Sequence, residues 1–447
     1  MGGGLLQLVA YGAQDAYITG NPHITFWKVL FKRHTNFAVE AFRVNFTGMP
    51  TYGQRVVAIV NRNADLIWKT YVEVTLPTTD LLPLSPSGTP GGEDISWTAG
   101  AQRRLGYLLL KQIEVEIGGQ IIDRHYGEWL YLWETLTTNF DTSAKLDNMV
   151  GGAYSNLPSG AVSCQGRPNV LYVPLQFWFN RNPGLALPLI ALQYHEVRFN
   201  ITLEDTINLV KGAGGTGAQL AAAANALPAL RDMALYIDYV YLDVEERRRF
   251  AQASHEYLIE QLQYSGQQTI TTSSGRIDLT LNHPVKELIW VFQDARKLDC
   301  SLPGGYTGSG ANTQPFSYDD IVNRARLQLN GQDRFDERYG DYFWKVQPYQ
   351  HHTGGAFNRF IGQTAMVPTP APNPINMYSF AISPEEHQPS GTCNFSRIDT
   401  ATLVYDSVIG AAGSYPSKTY PYNFRMYAVN YNIFRIMSGM GGLAYSN

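Results

Sequence analysis

Two stretches of this chain share a Gly-Gln start and a Tyr-Gly-acidic-aromatic end, and they decide its architecture. The first reads Gly119-Gln-Ile-Ile-Asp-Arg-His-Tyr-Gly-Glu-Trp129, and the second reads Gly331-Gln-Asp-Arg-Phe-Asp-Glu-Arg-Tyr-Gly-Asp-Tyr342, with one extra residue. Each follows a segment in which apolar and polar residues alternate, at 113–117 and 325–329. Alternation that ends at a glycine predicts a strand entering a tight turn. The same strand-and-turn unit therefore occurs twice.

A second pair of matching segments precedes the first pair in the same order. Asp65-Leu-Ile-Trp68 is repeated as Glu287-Leu-Ile-Trp290, and a Pro/Gly/Ser/Thr-rich loop follows each copy. Two landmarks in the same order, at similar separation, predict a duplicated domain. We expect Trp68 to superpose on Trp290 and Gly119 on Gly331. The alternative is one large β domain with coincidental sequence echoes.

Composition supports a β-rich protein that hides surface against neighbours. Of 447 residues, 13% are aromatic, with 28 Tyr, while only 16% are charged. Tyr and Phe suit a pleated, half-buried surface, and interface cores are poor in charge. The net charge of −4 gives no basic excess. We therefore expect no direct sequence-specific binding of nucleic acid.

The spacing of predicted strands indicates an all-β fold made of two tandem eight-stranded jelly rolls, with short helices in the loops. Each half holds about eight strands in roughly 200 residues, more than an immunoglobulin-type sandwich needs. We divide the chain into an N-terminal arm (1–36), a first jelly roll (37–244), a linker (245–255) and a second jelly roll (256–447). The charged segment 245–250 is a candidate short helix in that linker.

No arrangement of residues predicts catalysis, a cofactor or a metal. His351 and His352 are adjacent, so on a strand they would point to opposite faces. No HExxH, P-loop or GxSxG motif is present. Asp319-Asp320 and Glu385-Glu386 fit solvated loops better than a glycosidase pair. Arg247-Arg248-Arg249, beside two glutamates, indicates a locally neutralised hinge. A carbohydrate-binding jelly-roll lectin and a jelly-roll enzyme are the alternatives to a structural protein.

Cysteine usage and the N-terminus point to a chain made in a reducing compartment. Cys164, Cys300 and Cys393 are far apart and form no CxxC motif, which argues against a disulfide framework. The N-terminal segment lacks the basic start of a signal peptide, and no window is apolar enough to span a bilayer. We expect the chain to be cytosolic when it is made.

Several long segments resemble one protein family. They include Pro183-Gly-Leu-Ala-Leu-Pro-Leu-Ile-Ala-Leu-Gln-Tyr-His-Glu-Val197, His255-Glu-Tyr-Leu-Ile-Glu-Gln-Leu-Gln263, Lys345-Val-Gln-Pro-Tyr-Gln350 and Arg435-Ile-Met-Ser-Gly-Met-Gly-Gly-Leu-Ala-Tyr445. With them, the sequence resembles the major capsid proteins of nucleocytoplasmic large double-stranded DNA viruses, of the phycodnavirus (chlorovirus) type. The matching segments cover nearly the whole chain.

The resemblance implies a structural protein of the virion without enzymatic activity. It implies a homotrimer that forms a pseudo-hexagonal capsomer, and many such capsomers that tile an icosahedral shell. Minor capsid proteins and an internal viral membrane are the implied partners beneath the shell. The implied site of synthesis and assembly is the host cytoplasm.

The N-terminal arm and the long loops are the candidate contact surfaces. Asn21-Pro22 predicts a helix start, and Trp27, Lys28, Lys32 and Arg33 then form a short basic amphipathic segment. We expect these four residues to contact the inner face of the shell, with an anionic membrane below. The alternative is an arm that only plugs the base of its own barrel. Loops at 142–168 and 212–227, or their second-half counterparts around 368–374 and 411–421, are expected to supply the variable outer surface.

Overall fold

The structure of the protein is a computed structural model. The described residues are 3–10, 12–14, 34–76, 95–97, 104–151, 170–212, 229–295, 316–354, 374–409 and 421–445. The strands of the first half are β1 Phe37–Asn45, β2 Arg55–Ile59, β3 Leu66–Thr75, β4 Ile95–Trp97, β5 Leu110–Ile117, β6 Gln120–Tyr126, β7 Val170–Pro174, β8 Leu187–Pro188, β9 Val197–Leu203, β10 Val210–Gly212 and β11 Asp232–Leu242.

The second half continues the series with a similar set of strands. They are β12 His255–Ile270, β13 Ser274–Asp278, β14 Pro284–Asp294, β15 Val322–Leu329, β16 Gln332–Asp333, β17 Arg338–Tyr339, β18 Asn376–Ser379, β19 Cys393–Asn394, β20 Ala401–Ser407, β21 Tyr422–Met437 and β22 Met440–Leu443. The α-helices are α1 Gly3–Val9, α2 Leu105–Leu109, α3 Gly127–Thr137, α4 Phe140–Val150, α5 Trp178–Arg181, α6 Thr206–Leu209, α7 Val244–Gln252 and α8 Gln347–His351.

The two halves have the same sheet topology. In the first half, β1-β11-β3-β7 form one sheet (sheet A1) and β2-β9-β5-β6 form the other (sheet B1). In the second half, β12-β21-β14-β18 (sheet A2) and β13-β20-β15-β16 (sheet B2) repeat that order. The short strands β8, β17, β19 and β22 pair beside these four-stranded paths. Two antiparallel sheets connected in this order are a jelly roll. The prediction of a double jelly roll with short helices in its loops is confirmed.

The Gly-Gln landmarks occupy equivalent hairpins. Gly118 and Gly119 connect β5 to β6, and Asn330 and Gly331 connect β15 to β16. All four residues have positive φ, from 51° to 85°. A two-residue hairpin with both residues in this region is a type I′ turn, which favours Gly and Asn because they tolerate left-handed backbone. The expected match of Gly119 with Gly331 is confirmed.

The expected superposition of Trp68 on Trp290 is wrong in register. The two residues lie on the equivalent strands β3 and β14, but Trp68 is third in its strand and Trp290 is seventh. The hydrogen bonds just before each strand identify the true correspondence. The Asp65 carbonyl accepts from the Ile190 N–H, and the His283 carbonyl accepts from the Phe395 N–H, so Asp65 is equivalent to His283. Trp290 therefore faces the core of its own roll, whereas Trp68 is only partly buried. A short sequence match fixes a strand but not its register.

Some predicted boundaries also need correction. The expected loop at 142–168 begins as α4, because Asn139 accepts from the Thr142 N–H at 3.2 Å and Gly151 ends the helix at φ 81°. The other three expected surface loops lie almost entirely outside the described residues. The predicted charged helix at 245–250 is confirmed as α7.

The two jelly rolls share a continuous hydrophobic core. The larger buried cluster joins the first roll to Ile289, Val291, Tyr427 and Val429 of sheet A2, and a smaller one fills the second roll. In the N-terminal arm, α1 packs against β1, where the N–H groups of Gly3 and Gly4 donate to the Glu40 carboxylate. The first roll thus covers the central part of one face of sheet A2.

Candidate functional site at the junction of the jelly rolls

Helix α3 of the first roll is the main element at the junction. A Cβ atom on Gly127 would lie 2.0 Å from the carbonyl oxygen of Tyr107, so only glycine allows the helix to begin so close to the sheet. Trp129 then packs on Tyr427 of the second roll, with ring centroids 5.8 Å apart. Tyr131 stacks on Phe316 at 4.6 Å. Aromatic side chains from both halves fill the contact.

Glu128 is the polar centre of this helix and binds three side chains of the second roll. Its carboxylate accepts two hydrogen bonds from the Arg425 guanidinium, both at 2.7 Å. It also accepts from the hydroxyls of Tyr427 at 2.6 Å and Tyr318 at 3.1 Å. Because charged groups are costly to bury unless paired, this geometry fixes the relative position of the two rolls.

The titration behaviour of the cluster follows from its burial. Burial raises the pKa of Tyr427 and Tyr318 well above the usual value of 10.0, and the negative charge of Glu128 raises both further. Burial alone lowers the pKa of Arg425, but Glu128 outweighs it and raises that pKa. The guanidinium stays charged and both phenols stay neutral. The cluster is therefore structural and has no group poised for proton transfer.

A second buried ion pair lies at the opposite end of α3. Lys286 of β14 is fully buried and its ammonium lies 2.7 Å from the Glu260 carboxylate of β12. Arg181 of the first roll contacts the other oxygen of Glu260 at 3.0 Å and lies over the ring of Trp133. Burial alone raises the pKa of Glu260, but Arg181 and Lys286 lower it below its usual value.

A histidine between two carboxylates completes this side of the junction. His352 Nε2 lies 3.0 Å from Glu287, and Nδ1 lies 2.9 Å from Glu385. Burial alone lowers the pKa of His352, but the two carboxylates raise it from 6.5 to about 9. The next residue, Thr353, donates to the carbonyl of Thr137 at the end of α3. The protonated histidine therefore joins two segments of the second roll, and the neighbouring Thr353 links that loop to the first roll.

Two edge strands meet where the rolls touch. The Asp123 carboxylate of β6 accepts from the Leu262 N–H of β12 at 3.0 Å. Gln261 of β12 donates to the carbonyl of Ile122, and Asn432 donates to Gln261 at 2.8 Å. Side chains thus satisfy strand edges that would otherwise be unpaired, which is one way proteins protect a sheet edge.

Most of the residues singled out in the sequence serve structural roles. Arg247 of α7 forms a two-bond ion pair with Asp65, at 2.9 and 3.1 Å. His195 accepts from the Gly441 N–H at 3.1 Å, and His255 contacts the Phe250 carbonyl at 2.8 Å. The described residues contain no cluster of three or more His, Cys, Asp or Glu side chains arranged for a metal ion.

The four candidate inner-face residues of the arm lie outside the described residues. They are Trp27, Lys28, Lys32 and Arg33. The described start of the arm, α1, packs on β1 and β11 of sheet A1. Across the described ranges, no helix is both long and apolar enough to span a bilayer.

The buried polar groups of the junction were not predicted from the sequence. Glu128 was recognised as part of a repeated motif, but not as an ion-pair partner. The available signal was the presence of two glutamates, Glu128 and Glu134, in the mostly apolar segment Gly127–Thr137. An acidic residue on a buried helix needs a partner, although its identity depends on the tertiary structure.

Comparisons with known proteins give the family. A model described as "Major capsid protein N-terminus" matches residues 25–243, and one described as "Large eukaryotic DNA virus major capsid protein" matches residues 246–442. The major capsid protein of Pyramimonas orientalis virus is 45% identical, with all of both chains covered. The chain belongs to the major capsid proteins of large eukaryotic DNA viruses. That of Paramecium bursaria Chlorella virus 1 is 41% identical, also with all of both chains covered.

Solved structures agree with this major capsid protein family. A chain in the quasi-atomic model of the PBCV-1 virus capsid is 34% identical, with a TM-score of 0.73, covering 95% of this chain and 100% of that one. The Faustovirus major capsid protein, at 15% identity and a TM-score of 0.66, covers 93% of both chains and shares the fold. This major capsid protein therefore has a structural role as a shell-forming subunit, as the sequence predicted.

Proposed function

We propose that this major capsid protein forms homotrimers that act as pseudo-hexagonal capsomers of an icosahedral shell. The observation that carries the proposal is the fixed junction between two topologically equivalent jelly rolls in one chain. Three such chains supply six rolls of the same shape. A ring of three chains can thus fill a hexagonal position in a lattice, with closed symmetry of the kind most oligomers adopt.

Sedimentation of the purified full-length chain tests the trimer. We expect a particle with the mass of three chains of 49.9 kDa each. Obligate interfaces commonly bury more than about 2,000 Å², so the trimer should persist at micromolar concentration. A chain that sediments as a monomer under these conditions would refute the trimer, and image reconstruction of assembled particles tests the hexagonal outline.

We propose a purely structural role, with the chain divided as arm 1–36, first roll 37–244, linker 245–255 and second roll 256–447. The polar groups at the junction are paired with one another, which supports a structural rather than a catalytic use. Expression of each roll alone tests the division. We expect the second roll alone to aggregate, because sheet A2 would expose Ile289, Val291 and Tyr427 to water.

We propose that the arm contacts minor capsid proteins and an internal viral membrane, and that assembly takes place in the host cytoplasm. The basic and aromatic residues Trp27, Lys28, Lys32 and Arg33 support the membrane contact, because each cation near an anionic surface contributes about 1 kcal/mol. Substitution of the three cations by Glu should leave trimers intact and abolish their binding to anionic vesicles. Unchanged vesicle binding would contradict the membrane contact.

A further inference from the structure

The face of sheet A2 that points away from the core of its own roll is apolar and is covered by another part of the protein. Ile289, Val291, Tyr427 and Val429 point away from the core of their own roll, yet all four are buried. They belong to the same hydrophobic cluster as Trp129 and the rest of α3. This face is stable because the first roll covers it.

The equivalent face of sheet A1 can be identified from strand pairing. Tyr236 of β11 pairs with Tyr71 of β3, and Tyr427 of β21 pairs with Ile289 of β14. The correspondence between Asp65 and His283 places Tyr71 at the position of Ile289. Tyr236 thus corresponds to Tyr427, the tyrosine that binds Glu128 across the junction.

This second face is aromatic but open. Tyr71 and Tyr236 stack at 5.2 Å with parallel rings, and Tyr172 of β7 packs against Tyr71 at 6.1 Å. Tyr71 and Tyr236 are half-buried, while Tyr172 and Val39 are exposed. We call Val39, Tyr71, Tyr172 and Tyr236 the A1 outer face. Glu73 and Asp238 lie beside these rings on the same face, so the surface has an aromatic centre with charged groups around it, as interface patches commonly do.

The second roll carries the counterpart of the covering helix. A Cβ atom on Gly340 would lie 2.1 Å from the carbonyl of Val322, the first residue of β15, just as Gly127 approaches Leu110, the first residue of β5. The segment after Gly340 is thus the equivalent of α3. Its π-helix, Tyr342–Val346, leads directly into α8.

The counterpart segment leaves its contact residues exposed. Counting from the equivalent glycines, Asp341 corresponds to Glu128, Val346 to Trp133 and Tyr349 to Leu136. Trp133 is buried at the junction against His352 of the second roll, and Leu136 is also buried, whereas Val346 is 38% exposed and Tyr349 is 87% exposed. Among the described residues of each chain, the segment after Gly340 thus has no sheet beneath it, and the A1 outer face has no segment covering it.

We propose that these two surfaces bind each other between chains: segment 341–350 of one chain covers the A1 outer face of the next. The inference rests on the proposed trimer and names its contact surface. A contact between two different surfaces of one chain closes into a ring when its rotation allows. Six rolls in a ring have six junctions, three within chains and three between them. Asp341 then approaches Tyr236 of the next chain, as Glu128 approaches Tyr427 within one chain.

The first test introduces a charge on each surface of the full-length chain. Tyr236→Glu and Tyr349→Glu should each raise the concentration for half-dissociation of the trimer at least about 30-fold, as expected for a central aromatic contact residue. Tyr194→Glu is the matched control, because Tyr194 is 74% exposed but lies beside the C-terminal hairpin. The Tyr194→Glu substitution should change the concentration for half-dissociation by less than about threefold. Sedimentation across a dilution series measures all three.

A cross-linking variant keeps the test valid if a charged variant misfolds. Tyr236→Cys combined with Asp341→Cys should give covalently linked trimers with a short bismaleimide reagent, whereas each single variant should show only the background of the native cysteines. A trimer unaffected by either glutamate and lacking this cross-link would refute the contact surface while leaving the trimer intact. A wild-type chain that is monomeric would instead contradict the trimer itself, and the contact with it.

Discussion

Replacing Glu128 by Gln should destabilise the protein strongly, because one side chain at the junction carries four hydrogen bonds. Its carboxylate accepts two from Arg425, one from Tyr427 and one from Tyr318. Glutamine keeps the volume but removes the charge and one acceptor oxygen. The guanidinium of Arg425, with only 8% of its side chain exposed, would remain charged without a counter-ion.

The expected magnitude follows from that uncompensated charge. Removing one partner of a buried ion pair costs about 3–5 kcal/mol, and each hydrogen bond to a charged group contributes roughly 1.5–3 kcal/mol. We expect Glu128→Gln to lower the free energy of unfolding by about 3–4 kcal/mol. The double variant Glu128→Gln/Arg425→Met should recover at least about half of this loss, because replacing both charges removes the unpaired ion.

Urea unfolding at one fixed protein concentration measures these free energies, since association itself adds stability that depends on concentration. Glu337→Gln is the control, because its pair with Arg324 is 3.2 Å long but both side chains are about 45% exposed. The control should cost less than about 1 kcal/mol. A cost for Glu128→Gln no larger than that of the control would refute the importance of the buried pair.

Two further predictions follow from the same junction and from the backbone. The carboxylates of Glu287 and Glu385 raise the pKa of His352 to about 9 in the folded state, so the stability that protonated His352 contributes should be complete below about pH 6.5 and disappear between there and pH 9. Across this range, the pH dependence of the unfolding free energy should become flatter in His352→Asn but not in the control His351→Asn. An unchanged slope in His352→Asn would contradict the assignment. Gly127→Ala should lower the free energy of unfolding by about 3 kcal/mol, because the added Cβ would meet two backbone carbonyl oxygens. Gly331→Ala has open space around the added Cβ, so it should cost only the strain of a left-handed backbone, about 1–2 kcal/mol. Equal losses of melting temperature in the two variants would show that close packing at Gly127 is unimportant.

The sequence alone was sufficient to predict an architecture of two jelly rolls. Period-two alternation ending at Gly119 and Gly331 identifies two hairpins, and their repetition identifies two rolls. Such signals are local, because a strand and a type I′ turn are set by residues adjacent in the chain. The family resemblance rests on the same sequence, and the comparisons confirmed it.

The register of the repeated tryptophans and the polar junction depended on the tertiary structure. A four-residue match cannot fix where Trp68 and Trp290 fall along their strands, because pairing with neighbouring strands decides the register. Glu128 and Arg425 lie 297 positions apart in the chain, and nothing local to either residue specifies the other. Their pairing arises only when the first roll packs on sheet A2, because burial then makes an unpaired charge too costly to keep.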